Sequence, residues 1–197
     1  NCTIQYSDGY IYTGFWNSET KDANFVCVSA TDEDPDNPTE TKYATWTYAV
    51  QGGFYWAGAY VTDKYAIVGS DDGESDSTSD SSYVYCFDKL TGEVVQKVGP
   101  HHGDIRSDIS YYDGRIYFTS KGGYLYSYNL KEDGTIDTEN LIEPIEIGKM
   151  STSTPAIANG RCYVGSSYGS NFSGTYGISV VDINEETGAM SLEYVVY

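Results

Sequence analysis

An eight-residue pattern occurs four times in this chain without a gap, and it limits the folds open to the rest. DKYAIVGS at 63–70 aligns with DGYIYTGF at 8–15, DGRIYFTS at 113–120 and NGRCYVGS at 159–166. The copies begin at residues 8, 63, 113 and 159, spacings of 55, 50 and 46 residues. A second pattern follows each first one: YVYCFD at 83–88 matches NFVCVS at 24–29, YLYSYN at 124–129 and GISVVD at 177–182. Periods of this length belong to propeller blades rather than to helical solenoids, whose units are shorter.

Each unit resolves into four short strands. In the third repeat they are expected at 107–112, 115–120, 124–130 and 141–147. Asp113-Gly114, like Asn159-Gly160 in the fourth repeat, sits between two strand-like runs. Such pairs tolerate the positive φ of a two-residue hairpin, so the first two strands are antiparallel neighbours. Tyr124, Tyr126 and Tyr128 alternate with other residues and share one face. The first repeat is read at 3–6, 10–15, 24–31 and 42–49, with its third turn enlarged by DEDPDNP at 32–38. The second is read at 56–62, 65–70, 82–88 and 93–98, and the fourth at 153–158, 161–166, 177–183 and 190–196. Nothing is left over for a helix.

The expected fold is therefore all-β: one propeller unit over 1–197, with four four-stranded antiparallel blades at about 2–50, 55–98, 106–148 and 152–197. The chain opens on a first strand and closes on a fourth, so no blade is shared between the two ends. The unit is expected either to be part of a larger ring or to be completed to eight blades by a homodimer. A lone open arc would expose two blade faces as apolar patches.

Composition narrows the partners. Twenty-nine acidic residues against eleven basic ones give a net charge of −18. That excludes a nucleic-acid backbone as partner, because binding one requires Lys and Arg to displace counterions. Twenty-one Tyr and only two Met fit a sheet former. No apolar run approaches the ~20 residues that cross a bilayer, so no membrane insertion is expected. The sequence opens on Asn1, which reads as a mature product or an excised piece whose targeting information lies elsewhere. The acidic, Tyr-, Ser- and Thr-rich composition points to a bacterial exported or cell-surface protein. Cys27 and Cys86 share one position of the second pattern, and Cys162 stands where the other copies of the first have Ile11, Ala66 and Ile116. All three read as buried unpaired thiols. Cys2 has no evident partner.

The run YCFDKLTGEVV at 85–95, with AIVGS at 66–70 before it, resembles the repeat of quinoprotein-like propellers, the family named after pyrroloquinoline quinone; in weaker form the likeness extends over all four units. It implies that Asp88 caps the turn and that Thr91 and Gly92 close it. The family repeat ends on a tryptophan that docks on the next blade. Gln96 stands there, which implies that the docking girdle is missing. Quinoprotein dehydrogenases carry an adjacent cysteine pair and a calcium cluster, and neither is legible here. The likeness therefore implies a non-catalytic scaffold or surface-binding member, the rival being a fragment of a dehydrogenase-like enzyme.

In a propeller the loops joining strands two and three emerge on the same face as the connectors between blades. Trp16, Phe54, Tyr55 and Trp56 fall on that face and are candidate platforms for a sugar ring or anchors for a protein partner; the alternative is packing between blades. His101, His102, Asp104 and Arg106 form a second candidate group, with imidazole and carboxylate suited to a transition metal and a channel-lining loop as the alternative. No cofactor is expected; calcium is possible. Its candidate ligands are Asp71, Asp72 and Asp76 in DDGESDSTSD at 71–80, which otherwise reads as a solvated loop. Asp32, Asp34 and Asp36 have the opening spacing of a calcium loop, but Asn37 and Tyr43 stand where it needs Gly and Glu. The expected partner is a protein or carbohydrate ligand, glycan recognition being a separate function class.

Overall fold

The computed structural model describes residues 2–76, 78–169 and 174–197. Its strands form four antiparallel meanders, each a separate four-stranded sheet with strands in chain order. Blade 1 holds β1 (Gln5–Ser7), β2 (Tyr10–Gly14), β3 (Asp22–Ser29) and β4 (Trp46–Gln51). Blade 2 holds β5 (Tyr60–Val61), β6 (Tyr65–Gly69), β7 (Ser82–Asp88) and β8 (Val94–His101). Blade 3 holds β9 (Ser110–Tyr112), β10 (Arg115–Thr119), β11 (Tyr124–Asn129) and β12 (Ile145–Glu146). Blade 4 holds β13 (Ala156–Ala158), β14 (Arg161–Ser167), β15 (Tyr176–Ile183) and β16 (Met190–Val196). No helix occurs among the described residues.

The tight hairpins form where the sequence asks for them. Asp8-Gly9, Asp113-Gly114 and Asn159-Gly160 all have positive φ at both positions, the geometry whose twist matches the flanking strands. The inner strands β5 and β9 start later than expected, because residues 52–59 and 102–109 run as connectors that drop Phe54 and Ile105 into the core. The fourth strand of blade 3 shrinks to two residues. There the chain bridges Leu130 to Ile136 instead and buries Ile136 completely.

Cohesion comes from burial between neighbouring blades. Tyr12, Phe25, Cys27 and Trp46 of blade 1 pack on Ala66, Val68, Tyr85 and Phe87 of blade 2. From the other face of blade 2, Ile67, Val84 and Cys86 meet Ile116, Phe118 and Tyr126 of blade 3. Tyr117, Leu125 and Ile147 then meet Cys162, Val164 and Val181 of blade 4. Alternation along one strand therefore feeds two interfaces: Ala66 and Val68 point one way, Ile67 the other. All four cysteines are free, and Cys27, Cys86 and Cys162 are buried in these seams. Cys2 donates its thiol hydrogen to the carbonyl of Phe54.

The docking girdle implied to be missing is present in altered form. Trp46 and Gln96 occupy equivalent places, paired with the aligned Cys27 and Cys86. Trp46 Nε1 donates to the Lys89 carbonyl of blade 2 at 2.9 Å, and its ring lies so close over Gly92 that a Cβ there would sit 2.5 Å away. Gln96 grips the main chain of Ile136 in both directions, donating to its carbonyl at 2.9 Å and accepting from its N–H at 2.7 Å. An amide that pairs with both main-chain groups replaces an indole that offers area and one donor.

Candidate functional site on the loop face

The loop face is tied together by the connectors. In each, a main-chain N–H reaches back to the preceding blade and a carbonyl receives the next. Phe54 N donates to Phe15 O at 2.9 Å, Ile105 N to Ser70 O at 3.0 Å, and Ser151 N to Ser120 O at 3.2 Å. Asp71 N and Lys121 N donate in turn to Gly53 O and Asp104 O, both at 2.9 Å. Loops held this way are rigid enough to present side chains.

Arg106 is the hub of the face. It arises from the connector between blades 2 and 3 and is buried, its Nε and Nη2 donating to the two oxygens of Asp71 at 3.1 and 2.7 Å. Nη2 also lies 3.0 Å from Glu19 of blade 1 and 2.8 Å from Asp104. Lys121 of blade 3 approaches Asp104 at 3.8 Å. Asp104 accepts the Asp72 N–H with its other oxygen at 2.9 Å. The network thus joins three blades. Burial pushes the carboxyls of Asp71 and Asp104 well above the usual carboxylate range, repulsion from neighbouring carboxylates adds to the rise, and Arg106 opposes it.

Above this hub stand three aromatic rings. The Arg106 guanidinium lies 4.6 Å from the centre of the Tyr55 ring, and Tyr55 stacks with Trp16 at 4.8 Å and with Trp56 at 4.4 Å. Trp16 comes from the β2–β3 loop and Trp56 from the connector to blade 2. Each keeps 38% of its surface exposed. Trp56 is held at φ 61°, a region bulky residues rarely adopt and one that persists only where surroundings enforce it.

The candidate residues therefore part company. Trp16, Tyr55, Trp56, Asp104 and Arg106 come together. Phe54 does not join them: it is wholly buried between blades 1 and 2 against Phe25 and Tyr85, so it packs rather than presents. The adjacent histidines diverge as well. His101 is the last residue of β8 and points inward, edge-on to Phe118 and Tyr126, its Nε2 2.8 Å from the Tyr128 hydroxyl; burial lowers its pKa to about 4. His102 faces solvent and meets Asp80 at 2.6 Å. The pair does not converge on one ion.

The proposed calcium ligands are likewise engaged. Asp72 accepts from Glu74 N, Ser79 N and the Ser79 hydroxyl. Asp76 accepts from the N–H and hydroxyl of Thr78, as in an Asx turn, and Asp71 is clamped by Arg106. Oxygens of Glu19, Asp71 and Asp104 lie within 4.8 Å of one another, and the Arg106 guanidinium supplies the positive charge among them. Asp32 caps its own turn by accepting from Asp34 N. Ser77, within the acidic run, and residues 170–173 of the corresponding loop in blade 4 lie outside the described residues. Glu19 carried no signal in the sequence, since nothing in its exposed-looking neighbourhood marks it as the third partner of an arginine 87 positions away.

No family model matches the chain, and no curated protein matches it. Solved structures do. The computationally designed Ika8 protein superimposes with a TM-score of 0.60 at 15% identity, over 95% of this chain and 46% of that one. BamB from Moraxella catarrhalis gives 0.57 at 16%, over 98% and 48%. A chain of the mitotic checkpoint complex gives 0.60 at 8%, over 98% and 52%. The chain spans about half the length of the solved chains it matches, and at these identities the likeness shows one thing, the β-propeller fold.

Proposed function

We propose that this propeller unit is a non-enzymatic binding or scaffolding module of an exported or cell-surface protein, and that its loop face engages a protein partner. The observation that carries this reading is the Trp16–Tyr55–Trp56 shelf. Two half-exposed indoles are held in fixed orientation above a buried ion network, and one of them is held in a strained backbone conformation. Rigid aromatics with little rotamer freedom left to lose are the usual anchors of an interface. Glu19 reaches Arg106 beside the shelf, and Glu74, Asp76 and Asp80 are exposed on a loop of the same face, so the exposed part of that face is acidic. A net charge of −18 steers basic segments toward such a surface and repels acidic ones. The partner surface that suits it is a basic one carrying an aromatic or guanidinium group to stack on indole.

The test uses immobilised protein probed with a peptide library of basic, neutral and acidic sequences and, in parallel, with a glycan array. Basic peptides should bind, and the Trp16→Ala/Trp56→Ala double variant, with unchanged circular dichroism, should bind them at least ~10-fold more weakly. Loss confined to a glycan signal would replace the protein reading with a carbohydrate one. Equal binding by both proteins would remove the shelf from the function. Addition of pyrroloquinoline quinone and calcium should leave the visible spectrum of the protein that of free quinone; dye-linked alcohol oxidation would turn the reading to an enzyme.

A further inference from the structure

The charges of the Arg106 network do not balance. Glu19 from the β2–β3 loop, Asp71 from the β6–β7 loop and Asp104 from the next connector bring carboxylate oxygens within 4.8 Å of one another, and Asp72 adds a further negative charge beside them. Against these stand Arg106 and, from the β10–β11 turn, Lys121. Arg106 Nη2 touches Glu19, Asp71 and Asp104 at 3.0, 2.7 and 2.8 Å. That nitrogen carries only two hydrogens, and Glu19 and Asp71 accept them. Asp104 is left out. Its Oδ2 is wholly buried, lies 3.8 Å from Lys121 Nζ and receives no hydrogen bond.

A buried carboxylate oxygen without a hydrogen bond is costly, and holding a proton relieves the cost. Burial, with repulsion from neighbouring carboxylates, lifts the carboxyl of Asp71 to about 7 and that of Asp104 to about 8. Cys2, which feels the charge of Asp71, is itself pushed by burial above the ordinary 9.0 and stays a neutral thiol.

The network meets solvent at Glu19. Asp71, Asp72, Asp104, Arg106 and Lys121 are buried, whereas the Glu19 side chain is 37% exposed. Glu19 follows Trp16 by three residues in one loop, and the Arg106 it holds lies against Tyr55 of the aromatic shelf. A cationic group stacked on that shelf therefore has Glu19 beside it, and it brings the positive charge that the proton otherwise supplies.

We infer that Glu19 receives a guanidinium or ammonium group of the bound partner, and that this cation replaces the proton held by the Asp71–Asp104 pair. One charge enters, one proton leaves to solvent, and the net charge of the network is unchanged. This role rests on the reading of the shelf as the contact surface for a protein partner. The sign follows from linkage: the free protein holds a proton that the complex has given up, so affinity rises as pH rises through the folded carboxyl values, by up to about tenfold per pH unit for a full proton.

The test titrates hexa-arginine, acetylated and amidated so that its charges stay fixed, into the intact chain at about 0.15 M salt and about pH 6.5, 7.5 and 8.5. Calorimetry in buffers of different ionisation enthalpy counts the protons, and tryptophan fluorescence follows the shelf. Affinity should rise about 10-fold or more across the range, with proton release. Glu19→Gln removes the receiving carboxylate and one negative charge, and should both weaken binding at the highest pH about 5-fold or more and flatten the pH dependence. Glu74→Gln, an exposed acid of the same face outside the network, should keep the slope. So should His102→Gln, which removes the exposed imidazole of that face. Binding that does not change with pH, a slope that survives Glu19→Gln, or a slope lost in His102→Gln overturns the role of Glu19 and leaves the shelf in place, provided that Trp16→Ala/Trp56→Ala still weakens binding. No binding at any pH, or equal binding by that double variant, defeats the reading of the shelf and the role of Glu19 with it.

Discussion

The seam between blades 1 and 2 and the seam between blades 3 and 4 join equivalent sheets with different side chains. The first is aromatic. Phe87 stacks on Phe25 at 5.6 Å and on Tyr85 at 5.7 Å and meets Trp46 at 5.4 Å and Tyr48 at 5.2 Å, so one ring touches four others. The second is mainly aliphatic, with Leu125, Ile147, Val164 and Val181 around the single buried Tyr117. Among its polar links is Arg115, whose Nη2 donates to the carbonyls of Glu185 and Glu186 at 3.1 and 3.2 Å. Aromatic pairs add about 0.5–1.5 kcal/mol each beyond the area they bury. In a fold whose units touch only their neighbours, such differences stay local. The arc is therefore firmest where its loop-face site stands and weakest toward blade 4.

The largest expected effect breaks the aromatic seam. Phe87→Ala removes the ring that the others share and should cost ~3–5 kcal/mol, whereas Val164→Ala in the other seam should cost about 2 kcal/mol. Urea midpoints of the two variants check the difference. Losses in proportion to the apolar area each change removes would show that stacking adds nothing here beyond buried area.

A pair of glycines sharpens the same contrast. Gly92 and Gly188 close equivalent turns with φ of 75° and 79°. An added methyl at Gly92 meets the rigid Trp46 indole at 2.5 Å, whereas at Gly188 it meets the end of Ile142 at 2.6 Å, which can swing aside, and Arg115 Nε at 2.7 Å, which is tied to Asn129. Both alanine variants carry the left-handed cost of ~1 kcal/mol or more. Both add an overpacking cost of ~1–3 kcal/mol, and Gly92→Ala, with no flexible neighbour to yield, should melt below Gly188→Ala in a thermal scan. Gly9→Ala, where nothing lies within 4 Å, should show the backbone cost alone.

These contrasts also mark what the chain discloses before it is folded. The gapless octets place β2, β6, β10 and β14, and the second pattern places their partners, because those strands lie mid-blade where period two is enforced on both faces. The girdle was hidden. Trp46 lies 19 residues after Cys27 and Gln96 only 10 after Cys86, since the turn after β3 is enlarged, so their equivalence emerges only from strand pairing. His101 turns inward for a related reason. Gly99-Pro100 signals the end of a strand, yet β8 runs on through it and carries His101 inward. Of the loop-face site, the aromatics and Arg106 were legible as a composition of the connectors. Their assembly about one guanidinium, and the separation of Phe54 from them, are tertiary facts set by which connector turns inward.

The two ends of the arc differ finally in charge, and this gives a dependence on pH. The Arg106 network buries Asp71 and Asp104 where blades 1 to 3 meet, while the aliphatic seam buries no carboxylate. In the folded chain burial lifts the carboxyl pKa to about 7 for Asp71 and about 8 for Asp104, against 3.8 when exposed. A raised carboxyl pKa means that the folded chain holds protons the unfolded chain has already released, so stability falls as pH rises through the folded values. His101 acts in the opposite sense, its folded pKa of about 4 adding stability as pH rises from 4 to 6.5, and that contribution is complete above 6.5. The window from pH 6.5 to 8.5 therefore isolates the carboxylates. Across it the urea midpoint should drop, because the folded chain gives up there the protons that the unfolded chain has already lost. Asp71→Asn/Asp104→Asn should flatten the slope, and Val164→Ala should leave it as it is. A slope that survives the double Asn variant would place the proton elsewhere in the molecule.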